Sequence, residues 1–147
     1  MEMISNEEKI TQAVLVSVDT GDYDAEASLA ELKELVKSAG AEPVFTVTQN
    51  LKRPETGTYV GTGKLQEIAD ICKQQEIDLL VFDCELSPTQ IRNIEAETDT
   101  RTIDRTMLIL DIFALRARSK EGKLQVELAQ LKYLMPRLTG KGVAMSR

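Results

Sequence analysis

The chain has 147 residues, 42% of them hydrophobic and 29% charged, the size and make-up of one globular folding unit. It contains no histidine, which excludes histidine-ligated zinc, Ser/His and Cys/His nucleophilic pairs and histidine general bases, and with them most hydrolase mechanisms. The formal net charge of −6 hides a split, because residues 1–100 hold 8 Lys+Arg against 20 Asp+Glu while residues 101–147 hold 10 against 4. A basic segment attracts phosphate where an acidic body repels it, so nucleic acid is the first partner to consider, with a solvated helix face as the plain alternative.

The longest apolar runs fall far short of the roughly 20 residues that span a bilayer. Residues 1–9 carry three acids and one base with no apolar stretch behind them, so no membrane contact and no secretory signal are expected, and a cytoplasmic location is. Cys72 and Cys84, twelve residues apart in apolar surroundings, read as buried thiols, and their spacing suits neither a disulfide framework nor a metal site.

Residues 12–18 form a β-branched run that opens into Asp19-Thr20-Gly21-Asp22, after which Ala25, Leu29, Leu32, Val36 and Ala39 recur at spacings of four and three before Gly40. This pattern predicts strand, turn, helix and glycine C-cap. A second strand is predicted over 44–48, a helix over 64–75 with Leu65, Ile68, Ala69 and Cys72 on one face, and a buried strand over 77–82. Ser87-Pro88-Thr89-Gln90 places serine at an N-cap, proline at the first helical position and glutamine three residues after the cap, so a third helix starts there and turns Ile91 and Ile94 inward. A short fourth strand follows over 100–103. Repeated βα units imply an α/β fold with a four-stranded, mainly parallel sheet and flanking helices.

From Thr106 the pattern changes. Met107, Leu110, Ala114, Ala117, Glu121, Leu124, Leu128, Leu131, Met135 and Leu138 alternate by three and four, a heptad seam that predicts one long helix over 106–135, projecting from the body and ended by Pro136. Thirty helical residues reach about 45 Å. Gly122 weakens this helix by about 1 kcal/mol relative to alanine, and a small bend is expected there. The predicted division is an α/β subdomain over 1–104 and a helical arm with the start of a tip loop over 105–147. A seam needs a partner helix, and the chain offers none at this level, so the expectation is the first arm of a helical hairpin in a longer protein; pairing of two copies through the seam is the alternative.

Two motifs invite chemistry. The Gly-rich stretch from Gly57 to Lys64 leads into a helix, where backbone N–H groups attract anions, but Gly57 and Gly63 are separated by five residues and Leu65 follows the lysine, so the P-loop spacing fails, and so does the dinucleotide fingerprint. A glycine turn capping the second helix is the main reading; a nucleotide site at Gly61, Gly63 and Lys64 is the other. Asp19, Asp83, Glu85 and Asp104 lie just beyond predicted strand ends, where open α/β sheets place ligands. Helix capping already accounts for these carboxylates, and no metal site or catalytic residue is assigned.

The basic tail says more. Arg116, Arg118, Lys120, Lys123, Lys132, Arg137, Lys141 and Arg147 spread along the helix and tip with few acids between them, a distribution suited to phosphate neutralisation on RNA.

At these residues the sequence resembles the HflX GTPases. The matching stretches are Tyr59-Val60-Gly61-Thr62-Gly63-Lys64, Glu85 to Glu95, Asp104-Arg105-Thr106, Leu108 to Ala114, Glu121 to Leu131, and Pro136-Arg137-Leu138. The resemblance implies an N-terminal α/β subdomain, a two-helix arm whose first helix is 106–135, and a separate G domain that binds GTP and magnesium and lies outside this chain. It implies binding to the large ribosomal subunit and its rRNA, and a part in splitting stalled ribosomes under stress. It assigns GTP hydrolysis to no residue here, and it makes the Gly61 to Lys64 turn the place to look for nucleotide binding by this region. The rival functions are therefore an RNA-docking module, a nucleotide-binding α/β domain and a coiled-coil dimeriser.

Overall fold

The computed structural model describes residues 9–137. Four strands, β1 (Gln12–Asp19), β2 (Glu42–Asn50), β3 (Leu79–Phe82) and β4 (Arg101–Asp104), form one sheet in the order β2-β1-β3-β4. Every pairing is parallel, as the βα repetition predicts. β1 lies inside the sheet, and its residues 13–18 are all buried, which is why it reads as a continuous apolar run. β2 and β4 are the edge strands; β2 is largely exposed, whereas β4 is buried.

Five helices surround the sheet: α1 (Ala25–Ser38), α2 (Thr62–Gln74), α3 (Pro88–Thr98), α4 (Arg105–Arg116) and α5 (Lys120–Leu134), followed by a short 3-10 turn, Met135–Arg137. α1 packs beside α4, and α2 beside α3. The strand order reverses between β1 and β3, so this is a doubly wound topology with its switch point at their carboxyl ends. The core joins Val14, Leu15 and Phe82 of the sheet to Leu32 and Val36 of α1, Leu65 and Ile68 of α2, Ile91 and Ile94 of α3, and Met107, Leu108 and Ile112 of α4.

Local chemistry fixes the helix ends. Asp24 accepts from the Ala27 N–H at 3.0 Å to start α1, and Gly40 follows its end with φ +91°, well suited to glycine. Ser87 accepts from the Gln90 N–H at 3.1 Å while the Gln90 side chain accepts from the Ser87 N–H at 2.9 Å, completing the predicted capping box.

The C-terminal segment is helical as expected but not one helix. It breaks at Ala117-Arg118-Ser119, where Ala117 turns to ψ 131° and Ser119 begins α5 as N-cap, accepting from the Gly122 N–H at 2.9 Å. A Cβ on Gly122 would stand 2.9 Å from the same Ser119 Oγ, so the glycine seats the cap and the bend lies three residues before it. α5 then folds back on α4, and its far end returns to the body instead of projecting. The break also rephases the seam. Met107 is buried and Leu110, Ala114 and Ala117 are partly buried, whereas Leu124, Leu128, Leu131 and Met135 stand 53–64% exposed. Leu138 lies outside the described residues.

Replacing Ser87 with alanine removes half of the capping box, and the expected loss is about 1 kcal/mol, read as a lowered urea midpoint with an unchanged slope. An unchanged midpoint would mean that the box contributes nothing to α3.

Candidate functional site

The strongest concentration of positive charge is the turn between α4 and α5. Arg116 closes α4, Arg118 sits in the connection, and Lys120 and Lys123 occupy the first turn of α5; all four are exposed, with Glu121 as the single acid among them. Lys132 is exposed near the other end of α5, separated from Lys123 by about 13 Å of helix. A groove lined by Ala114 of α4 and, from α5, Lys120, Lys123, Leu124, Val126, Glu127 and Gln130 opens beside the basic turn.

Arg137 has a different position from the one its sequence suggests. Its guanidinium lies 3.8 Å over the Tyr133 ring, donates to the Leu86 carbonyl at 3.0 Å and to the Tyr133 carbonyl at 3.1 Å. These contacts occupy it in fastening the end of α5 to the body. Lys141 and Arg147 lie outside the described residues.

The glycine turn is built into the fold. Gly61 is the N-cap of α2, and its N–H donates to the Gln49 side chain at 2.9 Å, leaving one fewer free N–H at the position where a phosphate would sit. Asn93 donates to the Gly57 carbonyl at 2.9 Å and Gln90 to the Glu55 carbonyl at 3.2 Å, so α3 holds the loop from beneath. Gly63 faces open space. Lys64 pairs with Glu67 at 3.5 Å.

The carboxylates at the strand ends are structural acceptors. Asp19 accepts from the Gly21 N–H at 2.9 Å and lines a cleft of 390 Å³ with Thr20, Gly21, Asn50, Leu51 and Lys52. Asp83 accepts from Ser28 Oγ at 2.7 Å and Arg105 Nε at 2.8 Å. Arg105 also reaches the Ser28 carbonyl at 3.1 Å and Glu31 at 3.0 Å, tying α1 to the start of α4. Burial works against the charge of Arg105, but its contacts with Asp83 and Glu31 outweigh that and hold its pKa up. Glu85 accepts from Thr106 Oγ1 at 3.2 Å.

Asp104, fully buried, is the most connected. Its Oδ1 caps α4 through the Met107 N–H at 2.9 Å, and its Oδ2 accepts from the Leu86 N–H at 2.9 Å and the Tyr133 hydroxyl at 2.6 Å. Burial first, then the hydrogen bond and charge of Asp104, push the Tyr133 hydroxyl up in pKa, so it stays a proton donor. Neither Tyr133 nor the Arg105 network stands out in the sequence; the signal available was Asp104-Arg105-Thr106 at a strand-to-helix junction, which shows one acid and one base but not their distant partners. Both cysteines are free. Cys84 is held up in pKa by burial and by nearby carboxylates, against the opposing effect of Tyr59, and Cys72 by burial against its hydrogen bond with Thr100; both are poor nucleophiles at neutral pH.

Asp83→Ala leaves Arg105 with Glu31 as its one remaining carboxylate partner beside the Ser28 contacts, and strips the Ser28 hydroxyl of its acceptor. We expect a loss of about 2–3 kcal/mol in denaturant unfolding, and a loss below 0.5 kcal/mol would show that the pair is replaceable by water.

The chain matches two family models, GTP-binding GTPase N-terminal over residues 26–114 and GTP-binding GTPase Middle Region over residues 116–147. It is 52% identical to the GTPase HflX of Alkalihalophilus pseudofirmus over 140 residues, covering 94% of this chain and 33% of that protein. It is also 52% identical to the GTPase HflX of Escherichia coli (strain K12) over 128 residues, covering 86% and 30%. Among solved structures, the complex of SsGBP and GDP superposes with a TM-score of 0.68 at 31% identity over 91% of this chain and 39% of that one. A GTP-binding protein from Sulfolobus solfataricus in complex with GDP gives 0.64 at 32% identity, over 87% and 38%. The chain thus spans about a third of the length of the curated relatives it matches. With two adjoining family models matching residues 26–114 and 116–147, the chain belongs to the HflX family of GTP-binding GTPases.

Proposed function

We propose that this chain is the ribosome-docking region of an HflX-type GTPase, whose α4–α5 turn contacts RNA of the large ribosomal subunit. The observation that carries this reading is the gathering of Arg116, Arg118, Lys120 and Lys123 at one exposed turn on an otherwise acidic body. An acidic surface is repelled by RNA and a basic end is attracted, so the charge split orients the molecule as well as binding it. Lys132 adds a fifth exposed cation along α5, and Lys141 and Arg147 belong to the same basic segment. Arg137 is left out of the contact set because its guanidinium is already engaged. The splitting of stalled ribosomes under stress, and a cytoplasmic location, go with this reading.

Guanine nucleotide binding and hydrolysis, with magnesium, belong in this proposal to the parts of the relatives that this chain does not span. The GDP named in two of the solved structures supports a guanine nucleotide for the whole protein. For the Gly61, Gly63 and Lys64 turn the occupied Gly61 N–H and the Lys64–Glu67 pair favour a structural role over a second nucleotide site.

Reversing Arg116, Arg118, Lys120 and Lys123 to glutamate in the full-length protein tests the reading. Co-sedimentation with the large subunit across a salt series is expected to weaken strongly at low salt, and the slope of log K against log salt to fall by roughly 3, as four phosphate contacts are lost. An unchanged affinity and slope would overturn the proposal.

A further inference from the structure

The two edges of the sheet are finished differently. β4 is buried along its whole length, with α3 and α4 packed on it. β2 is open: Val44 and Phe45, which point to opposite faces, are 36% and 42% exposed, and Thr46 and Thr48 are exposed with them. Parallel sheets normally have both faces covered, and an open edge is normally guarded by charge, proline or a bulge. The guards here stop early. Pro43 and the irregular register between Ala13 and Val14 lie at the start of β2, and from Pro43 to Leu51 the chain carries no charge. The backbone of this stretch also has a free side. The Leu51 N–H donates to the Asp19 carbonyl at 3.1 Å, and the register with β1 runs unbroken from Phe45 to Asn50. Backbone groups of successive residues face alternate sides of a strand, so Phe45, Val47 and Gln49 bond β1 while Val44, Thr46 and Thr48 turn their N–H and C=O groups outward. Among the described residues those outward groups have no partner.

We propose that β2 is a self-pairing edge, through which two copies of this chain join antiparallel about a two-fold axis at Thr46. A two-fold contact needs a self-complementary surface, and this strand is one. Centring on Thr46 sets Thr46 against itself and Val44 against Thr48 twice, all hydrogen-bonded pairs built from the outward groups. Phe45 then faces Val47 twice, in the narrow pairs where side chains come closest. Aromatic residues with β-branched ones, and threonine with threonine, are favourable partners across strands. No like charges meet. Antiparallel pairing brings Glu42 of one copy toward Lys52 of the other at both ends, whereas parallel pairing would set Glu42 against Glu42. A ladder over residues 44–48 buries little area, so the dimer is a weak one. The helical hairpin takes no part in it, because Asp104, which anchors α4 and α5, stands on the opposite edge strand.

Sedimentation equilibrium of the 147-residue chain, at concentrations up to about 1 mM, tests the pairing, and an equilibrium between monomer and dimer is expected. Thr46→Lys sets two like charges directly opposite each other and should weaken the dimer by roughly fivefold. Thr46→Glu should do the same, and mixing the two variants should restore pairing, because only this register places position 46 against itself. Thr46 is exposed, so neither change disturbs the monomer. Leu128→Glu, on the exposed side of α5, should leave the dimer as it is. Hydrogen exchange at Thr46 and Thr48 should slow as concentration rises, while Phe45 and Val47, bonded to β1, stay unchanged. A monomer at every concentration would overturn the proposal. So would a dimer that ignores Thr46→Lys, is lost with Leu128→Glu, or fails to return when the two Thr46 variants are mixed.

Discussion

The C-terminal half of the molecule depends on where one carboxylate sits. Asp104 is the last residue of β4, and the sheet holds it through the register of Phe82 with Asp104. From that fixed point it caps α4, holds the turn into α3 through the Leu86 N–H, and receives the Tyr133 hydroxyl from the end of α5. A buried carboxylate is tolerable only when hydrogen bonds replace its lost water, and three donors from three chain segments do so here. Asp83, at the equivalent end of β3, works in the same way on the other side: with Arg105 and Ser28 it joins α1 to the first residue of α4. The carboxyl edge of the sheet, where open α/β folds place ligands, is therefore used at β3 and β4 as a junction between helices.

That use has a functional consequence. With its strand-end acids committed to structure and no histidine available, the described part of the chain holds groups suited to positioning and few suited to bond-making. Its distinguishing feature is geometric: a rigid body ending in a hairpin whose turn is basic. In the proposed reading this part places the molecule on RNA, with the acidic body disfavouring other orientations.

Much of the fold was legible because local chemistry and burial agree. Ser87-Pro88-Thr89-Gln90 predicts a helix start that forms as written, and the apolar runs of β1 and β3 mark buried parallel strands. β2 extends beyond its expected limits because an edge strand mixes polar and apolar residues and its ends carry no strong signal. The break in the last helix was not legible. The heptad spacing is satisfied equally by a straight helix and by two helices with different faces, and the deciding interactions, Tyr133 with Asp104 and Arg137 with Leu86, link residues 29 and 51 positions apart. The contacts of Arg137 were hidden for the same reason, since an arginine in a basic tail shows no stacking partner in the sequence. The glycine turn was read correctly as a helix cap, but its partner Gln49 comes from the preceding strand and no spacing rule points to it.

Asp104 organises α4, the turn into α3 and α5 together. Hydrogen exchange on Asp104→Asn tests it most directly, because asparagine still accepts from the Met107 N–H at the cap while its amide nitrogen faces the Leu86 N–H in place of an acceptor. Amides of α5 and of the turn at 84–87 are expected to lose protection together while β1 and β3 keep theirs. Unchanged protection in α5 would contradict it, and would mean that the arm is held to the body by contacts other than this carboxylate.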